Sequence, residues 1–238
     1  MSANRIKLVL ICLALILSCM FAFHSLKHLI ASALIIKPQL DIEATKVELE
    51  KSTETEISTI IRRLNTSFKL GKKRSEIYFF LAQAYDLLDQ KKQSIANDSS
   101  HLVIIQNYHK AILVQPSWEL PWIYLAKYHF RRNETKDAIV YLQHALSIGR
   151  YENQVQKLSL PLVFEYWSHL DFESKDHAKN MLIHIFKFKR NQNFAFNLLK
   201  NYNDPTLLDF IEPLLTRKKH LIQFKKHKQA VLPPSLSE

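Results

Sequence analysis

Four groupings of ionisable residues have types and spacings that could do chemistry. His24 and His28 stand four apart, one helical turn, at which two imidazoles can share a metal ion. No third ligand accompanies them, and they sit at the end of an apolar run, where polar tips suit a headgroup boundary. Glu165 and His169 are again four apart and are expected on one helix face, without a nucleophile or metal partner. Glu173, Asp176 and His177 cluster at an expected helix start, where acids favour the helix dipole. His177 and His184 are two turns apart and read as a polar stripe. All four groupings are read as structural. The glycine-rich phosphate loops, HExxH, CxxC and GxSxG are absent, and only Gly71 and Gly149 supply glycine. No catalytic residue, metal or cofactor is expected, and the chain is read as a protein other than an enzyme.

The formal net charge is +11 and the pI about 9.5, which attracts polyanions. The tail, 217–238, contains "RKKHLIQFKKHK", where Phe224 stands among basic residues, a mixture that can hold single strands or anionic lipid. No groove-entering or base-stacking module accompanies it, so nucleic acid is not expected as a partner. The tail is read as a solvated basic segment, and deleting Arg217 to Lys228 is expected to leave the fold intact. Cys12 and Cys19 both lie in the N-terminal apolar run. The body therefore has no disulfide, thiolate metal site or cysteine nucleophile.

These side chains need elements to position them. After a short basic head, 1–7, with Arg5 and Lys7, no charge occurs from Leu8 to Phe23. Residues 8–26 are read as an uncleaved transmembrane anchor, because a helix from Ile6 to Leu26 matches the hydrocarbon thickness. Ala31-Ser32-Ala33 comes too late for a cleavage site. The chain also stays apolar after Cys19, where a lipoprotein tether turns polar. Lysines flank both ends of the span, so the positive-inside rule separates them weakly. The head is read as inside and the body as outside, in a single-pass topology. Residues 27–54 are read as a juxtamembrane linker or stalk, and "DIEATKVELEKSTETE", 41–56, as a stalk or a loosely packed helix.

The body, 55–216, is expected to be all-α. Ile57, Ile60, Ile61, Leu64 and Phe68 recur at spacings of three and four, and "LGKKRSE" breaks the pattern at Gly71. Two helical pairs then repeat one set of offsets. The first carries Tyr78, Leu81, Ala82 and Tyr85, then Tyr108, Ala111 and a terminating Pro116. The second carries Trp122, Leu125 and Ala126, then Ala138, Leu142 and Ala145. Those are tetratricopeptide (TPR) offsets, with departures at His129 and Arg150. Tyr78 and Trp122 are 44 residues apart against a repeat of about 34, and the excess is placed in a polar loop, "DQKKQSIANDSSH". Beyond Glu152 a kink or break is expected before Pro161, an N-cap at Ser174 and a helix start at Pro205. The fold class is thus an N-terminal transmembrane helix followed by a short TPR-like α-solenoid.

From Tyr108 to about Leu215 the chain resembles the VpsP-like proteins, membrane-anchored TPR proteins linked to bacterial exopolysaccharide biosynthesis. The likeness rests on Pro116, Trp118, Trp122, Leu125, Ala126, Ala138, Ala145, Glu152 and Trp167. It implies a scaffold in the bacterial inner membrane, with a periplasmic body and protein partners in an envelope complex. By likeness to TPR grooves, the exposed partner-binding positions would be Phe79, Gln83 and Asp86 in one pair. In the other they would be Ile123, Lys127, Phe130 and Arg131, with Lys127 and Arg131 pairing partner carboxylates. An alternative is glycan stacking through Trp118, Trp122 and Trp167, of which only Trp118 is expected to be exposed.

Overall fold

The computed structural model of the chain describes residues 3–70, 74–92, 98–188, 191–215 and 218–231, the side chains of 3–11, 28, 31, 70, 98–99, 188, 218–220 and 230–231 excepted. Among the described residues all regular structure is helical. The chain divides into two compact units, Met1–Gln115 and Pro116–Glu238. The sequence alone suggests one domain over 55–216; packing instead puts the N-terminal helix into the first unit and divides the body at Pro116.

Among the described residues the first unit has four helices: α1 (Ala3–Val47), α2 (Glu54–Leu70), α3 (Ser75–Lys92) and α4 (Asp98–Val114). From Cys12 to Ile30 every described side chain of α1 is exposed, and this stretch is apolar enough to cross a membrane. Further along the same helix Ile35, Pro38, Ile42 and Thr45 are buried, at spacings of three and four that make one face. The expected stalk is therefore corrected: from Ser32 onward α1 is a core helix, packed on α2 and α3.

The turn into α2 is fixed by a capping box, with Thr53 N donating to Glu56 Oε2 at 2.7 Å and Glu56 N to Thr53 Oγ1 at 3.2 Å. The backbone bond from Thr53, then its hydroxyl, hold the Glu56 carboxyl below its ordinary range. In α2, Ile57, Ile60, Ile61 and Leu64 are buried as their spacing predicts, and Phe68 packs on Tyr78 at 5.5 Å between ring centroids. Arg63 reaches Asp41 at 3.0 Å. Flanked by α1, α2 and α4, α3 is buried over most of its circumference.

The expected polar loop is shorter than its composition suggests. Helix α3 runs through Lys92 and α4 begins at Asp98; residues 93–97, like the expected break at Gly71, lie outside the described residues.

The second unit contains α5 (Glu119–Arg131), α6 (Thr135–Gly149), α7 (Asn153–Glu165), a 3-10 turn (Trp167–His169), α8 (Phe172–Phe188), α9 (Gln192–Leu199), α10 (Pro205–Ile211), a second 3-10 turn (Glu212–Leu214) and α11 (Lys218–Val231). Helices α5 and α6 form a hairpin whose turn contains Asn133 at φ 62°. A β-branched residue is strained there, so Asn133→Val is expected to cost about 1–2 kcal/mol and Asn133→Gly much less, measurable by thermal unfolding. At the end of α6, a Cβ added to Gly149 would stand 2.8 Å from both Glu119 Cγ and Val155 Cγ2. Gly149→Ala is therefore expected to destabilise this unit by about 1–3 kcal/mol through overpacking, against the usual gain of Gly→Ala in a helix.

Three local expectations change. Helix α7 passes through Pro161 without a break; only the bond that its N–H would give to the Lys157 carbonyl is lost. The N-cap of α8 is Asp171, whose Oδ1 accepts from Ser174 N at 2.7 Å, and Ser174 lies buried inside the helix. The basic tail is not simply solvated: over 218–231 it forms α11, and Phe224 enters the core beside residues such as Phe196, Leu207 and Ile211. The helix start at Pro205 is as expected, with Asp204 Oδ1 accepting from the N–H groups of Thr206 and Leu207.

Candidate partner-binding surface

The expected groove positions are largely inside the protein. Phe79, Gln83 and Asp86 on α3 are buried, with Phe79 against Phe80 and Tyr108 at 5.4 and 6.2 Å between ring centroids. On α5, Ile123 and Phe130 are buried, and Phe130 stacks on Tyr166 at 3.9 Å. Lys127 is half-buried and Arg131 exposed; they lie over Tyr124 and Tyr128 at 5.5 and 5.6 Å. The expected exposure is thus corrected for five of the seven residues. On α3 the cause is packing on three sides, by α1, α2 and α4 together.

The positions read as structural are mostly interior. Tyr78, Leu81, Ala82, Tyr108, Ala111, Leu125, Ala126, Ala138, Leu142 and Ala145 are buried, Tyr85 and Trp122 half-buried and Pro116 exposed.

Of the ionisable groupings, the pair His24 and His28 includes a side chain outside the described ones, His28. Glu165 ends α7 and His169 lies in the following 3-10 turn, so the two do not share a helix face as expected. His177 and His184 both turn towards the junction of α6 and α7. Arg150 Nη1 approaches His177 Nδ1 at 3.4 Å, and Glu173 lies 3.8 Å from His177 Nε2. Gln156 Nε2 contacts His184 Nδ1 at 3.1 Å and donates to the Arg150 carbonyl at 3.0 Å. Its Oε1 accepts from Asn191 Nδ2 at 2.7 Å. Gln156 and Asn191 are buried, so this polar network ties α6, α7, α8 and the start of α9 together.

A second pairing closes the α5–α6 turn, with His129 Nδ1 2.6 Å from Glu134 Oε2 and Arg132 Nε donating to Glu134 Oε1 at 3.0 Å. Burial alone would raise the Glu134 pKa, but the bonds to Arg132 and His129 outweigh it and hold the carboxyl below its ordinary range. A carboxylate lowered on folding stabilises above its unfolded pKa, and that contribution is lost as pH falls through the folded value. Glu134→Gln is therefore expected to reduce stability at neutral pH and to flatten its acid limb, measured as Tm against pH.

A surface not assigned from the sequence lies on the outer side of α6. Val140, His144 and Ile148, with Tyr151 just past the helix end, recur at spacings of four, four and three. Val140, Ile148 and Tyr151 are 48%, 43% and 54% exposed, while Ala138, Leu142 and Ala145 are buried. Trp122 extends the line, packing on His144 at 4.7 Å and Tyr141 at 6.2 Å, its Nε1 donating to the Pro116 carbonyl at 3.1 Å. Tyr151 is braced by His184 and by the Arg150 guanidinium, each 4.9 Å from its ring centroid. The line from Val140 to Tyr151 spans about 16 Å at helical rise. Lys136, Asp137 and Glu152 are exposed beside it. A narrow apolar strip with a charged rim suits one face of a partner's amphipathic segment. The spacing of Val140 and Ile148 carried the signal in sequence, but the regular Ala and Leu pattern drew the assignment to the buried side.

Of the tryptophans considered for sugar stacking, Trp167 is buried, with Nε1 donating to Thr206 Oγ1 at 3.0 Å. Trp122 and Trp118 are both half-buried, where Trp122 was expected in the core and Trp118 exposed.

In the first unit an open cleft of about 460 Å³ lies between α1 and α2, lined by residues including Lys37, Asp41, Glu48, Glu56 and Arg63. Its carboxylates largely answer groups of their own unit: Asp41 pairs with Arg63, Glu48 with Lys51 and Glu56 with Thr53. Among the described residues no group of three or more His, Cys, Asp or Glu is placed to hold a metal ion. Compared with models of protein families, with curated proteins and with solved structures, the chain matches none.

Proposed function

We propose that this chain is a membrane-anchored scaffold whose paired helices, TPR-like in their offsets, bind a segment of a partner protein. The observation that carries the binding role is the exposed apolar line of Val140 and Ile148 on α6 and Tyr151 just past its end, beside an otherwise packed hairpin. The anchoring role is supported by the exposed, apolar 12–30 stretch of α1. In this reading α1 crosses the bacterial inner membrane once, the body lies in the periplasm, and the partner belongs to an envelope assembly handling exopolysaccharide. The polysaccharide part rests only on the resemblance carried by Pro116, Trp118, Trp122 and Trp167.

Site-specific photo-crosslinking in intact membranes tests the binding site. A crosslinker at Val140 or Ile148 is expected to capture one discrete protein, and Val140→Asp with Ile148→Asp to abolish capture while thermal stability is retained. Capture from Lys127 or Arg131 alone, insensitive to the α6 changes, would return the site to α5.

A further inference from the structure

We infer that one end of the first unit rests on the anionic headgroups of the bilayer that α1 crosses, so that the unit is docked on the membrane as well as tethered to it. This inference rests on α1 being the anchor and adds a surface that the anchor alone does not require.

The helix registers place that end. Arg74 Nη1 donates to Ser32 Oγ at 3.0 Å, and Lys91 Nζ donates to the Glu50 carbonyl at 2.8 Å and the Leu49 carbonyl at 3.3 Å; the pairs are 42, 41 and 42 residues apart in sequence. Helix α3 therefore runs parallel to α1 at a nearly constant offset. Helix α4 returns antiparallel, fixed by Ser75 Oγ donating to the Ala111 carbonyl at 2.9 Å. Carrying these registers on puts Leu113 and Val114 level with Ala31 and Ile30 of α1. Residues 12–30 are the exposed apolar stretch of that helix, about 28 Å long at helical rise and close to the hydrocarbon thickness. The end of α4 therefore reaches the plane where the hydrocarbon gives way to headgroups.

The chemistry at that level suits such a plane. Leu113 is 78% exposed and Val114 46%, at the end of a turn whose Ala111 and Ile112 are buried in the unit. Lys27 on α1, Lys69 on α2 and Lys110 on α4 are exposed around them. Lys69 belongs to this end because α2 runs antiparallel to α1, with Arg63 paired to Asp41. The described carboxylate at the same level is Glu76. Exposed aliphatic side chains among lysines are what a headgroup layer accepts: the apolar groups enter the acyl boundary and the ammonium groups meet lipid phosphate.

The test uses the full chain with Cys12→Ala and Cys19→Ala, carrying one new cysteine at a time, Phe21→Cys, Leu102→Cys or Leu113→Cys. Each is labelled with an environment-sensitive fluorophore in lipid discs of phosphatidylcholine, with or without phosphatidylglycerol. Leu102 is exposed on the same helix, about 16 Å further from the span. The label at 113 is expected to be blue-shifted and quenched by iodide several-fold less than the label at 102. The difference should widen with phosphatidylglycerol and lose that increment in Lys69→Glu with Lys110→Glu. Equal quenching at 113 and 102, with the label at 21 shielded, overturns the docking and leaves the anchor standing. A label at 21 open to iodide overturns both.

Discussion

Phe224→Ala is expected to destabilise the second unit by about 3–5 kcal/mol, the usual range for removing a buried aromatic side chain. The ring is 1% exposed and belongs to the same cluster as Phe186, Phe196, Leu207 and Ile211. Its neighbours Lys225 and Lys226 are exposed, and alanine at either is expected to change stability by no more than about 0.5 kcal/mol. Two further side chains hold α11 in place. His227 Nε2 lies 3.2 Å from the Tyr202 carbonyl, and Lys228 Nζ reaches Asp209 at 2.8 Å and Glu212 at 2.6 Å. The bonds to Asp209 and then Glu212 raise the Lys228 pKa above its ordinary 10.5. A lysine raised on folding stabilises below its unfolded pKa, and that contribution is lost only as pH rises through the folded value. The Lys228 contribution to the docking of α11 is therefore expected to be insensitive to pH near neutrality. All three tryptophans lie in the second unit, so urea unfolding of the detergent-solubilised chain, followed by tryptophan emission, reads the effect. An unchanged midpoint for Phe224→Ala would return the tail to a solvated segment. The same core contact means that deleting Arg217 to Lys228 removes part of the fold, contrary to the expectation from charge alone.

The features that were legible in sequence are those set by local periodicity. The apolar face of α2, the small residues Ala82, Ala111, Ala126, Ala138 and Ala145, and the proline at the start of α10 all lie where spacing places them. Errors arise where one residue type can serve two environments. Phe224 among lysines reads as a stacking group in a basic tail, because sequence does not show that α9 and α10 leave room for a ring. Asp171 and Ser174 are both good N-caps, and the choice rests on where α8 first turns. Thr53 and Glu56 have capping-box spacing, but the acidic stretch around them has the composition of a stalk. The groove residues fail for a tertiary reason. Phe79, Gln83 and Asp86 do project from α3, and α1 and α2 leave that helix little open surface. An apolar helix face shows only that something covers it, not which element does.

That misreading of α1 makes the second large effect the most informative. Ile42 is buried on a helix whose N-terminal stretch is exposed, so two apolar residues of one helix should respond in opposite assays. Ile42→Ala is expected to destabilise the first unit by about 2–5 kcal/mol, and Ile42→Asp by more, because it buries an unpaired charge. Hydrogen exchange should rise across α1 from Ser32, α2 and α3, while the chain still sediments with membranes. Phe21 is exposed on the apolar stretch. Phe21→Asp is expected to make insertion less favourable by about 3–4 kcal/mol if the residue lies near the bilayer centre, with little effect on exchange in α2 and α3. If α1 beyond Ser32 were only a stalk, Ile42→Asp would be silent in both assays. If both substitutions released the chain from membranes, the exposed stretch would have to extend past Ser32, and the packing of Ile35, Pro38 and Ile42 against the unit would be wrong. Opposite responses would make α1 one continuous element, with lipid around its first half and the protein's own core around its second.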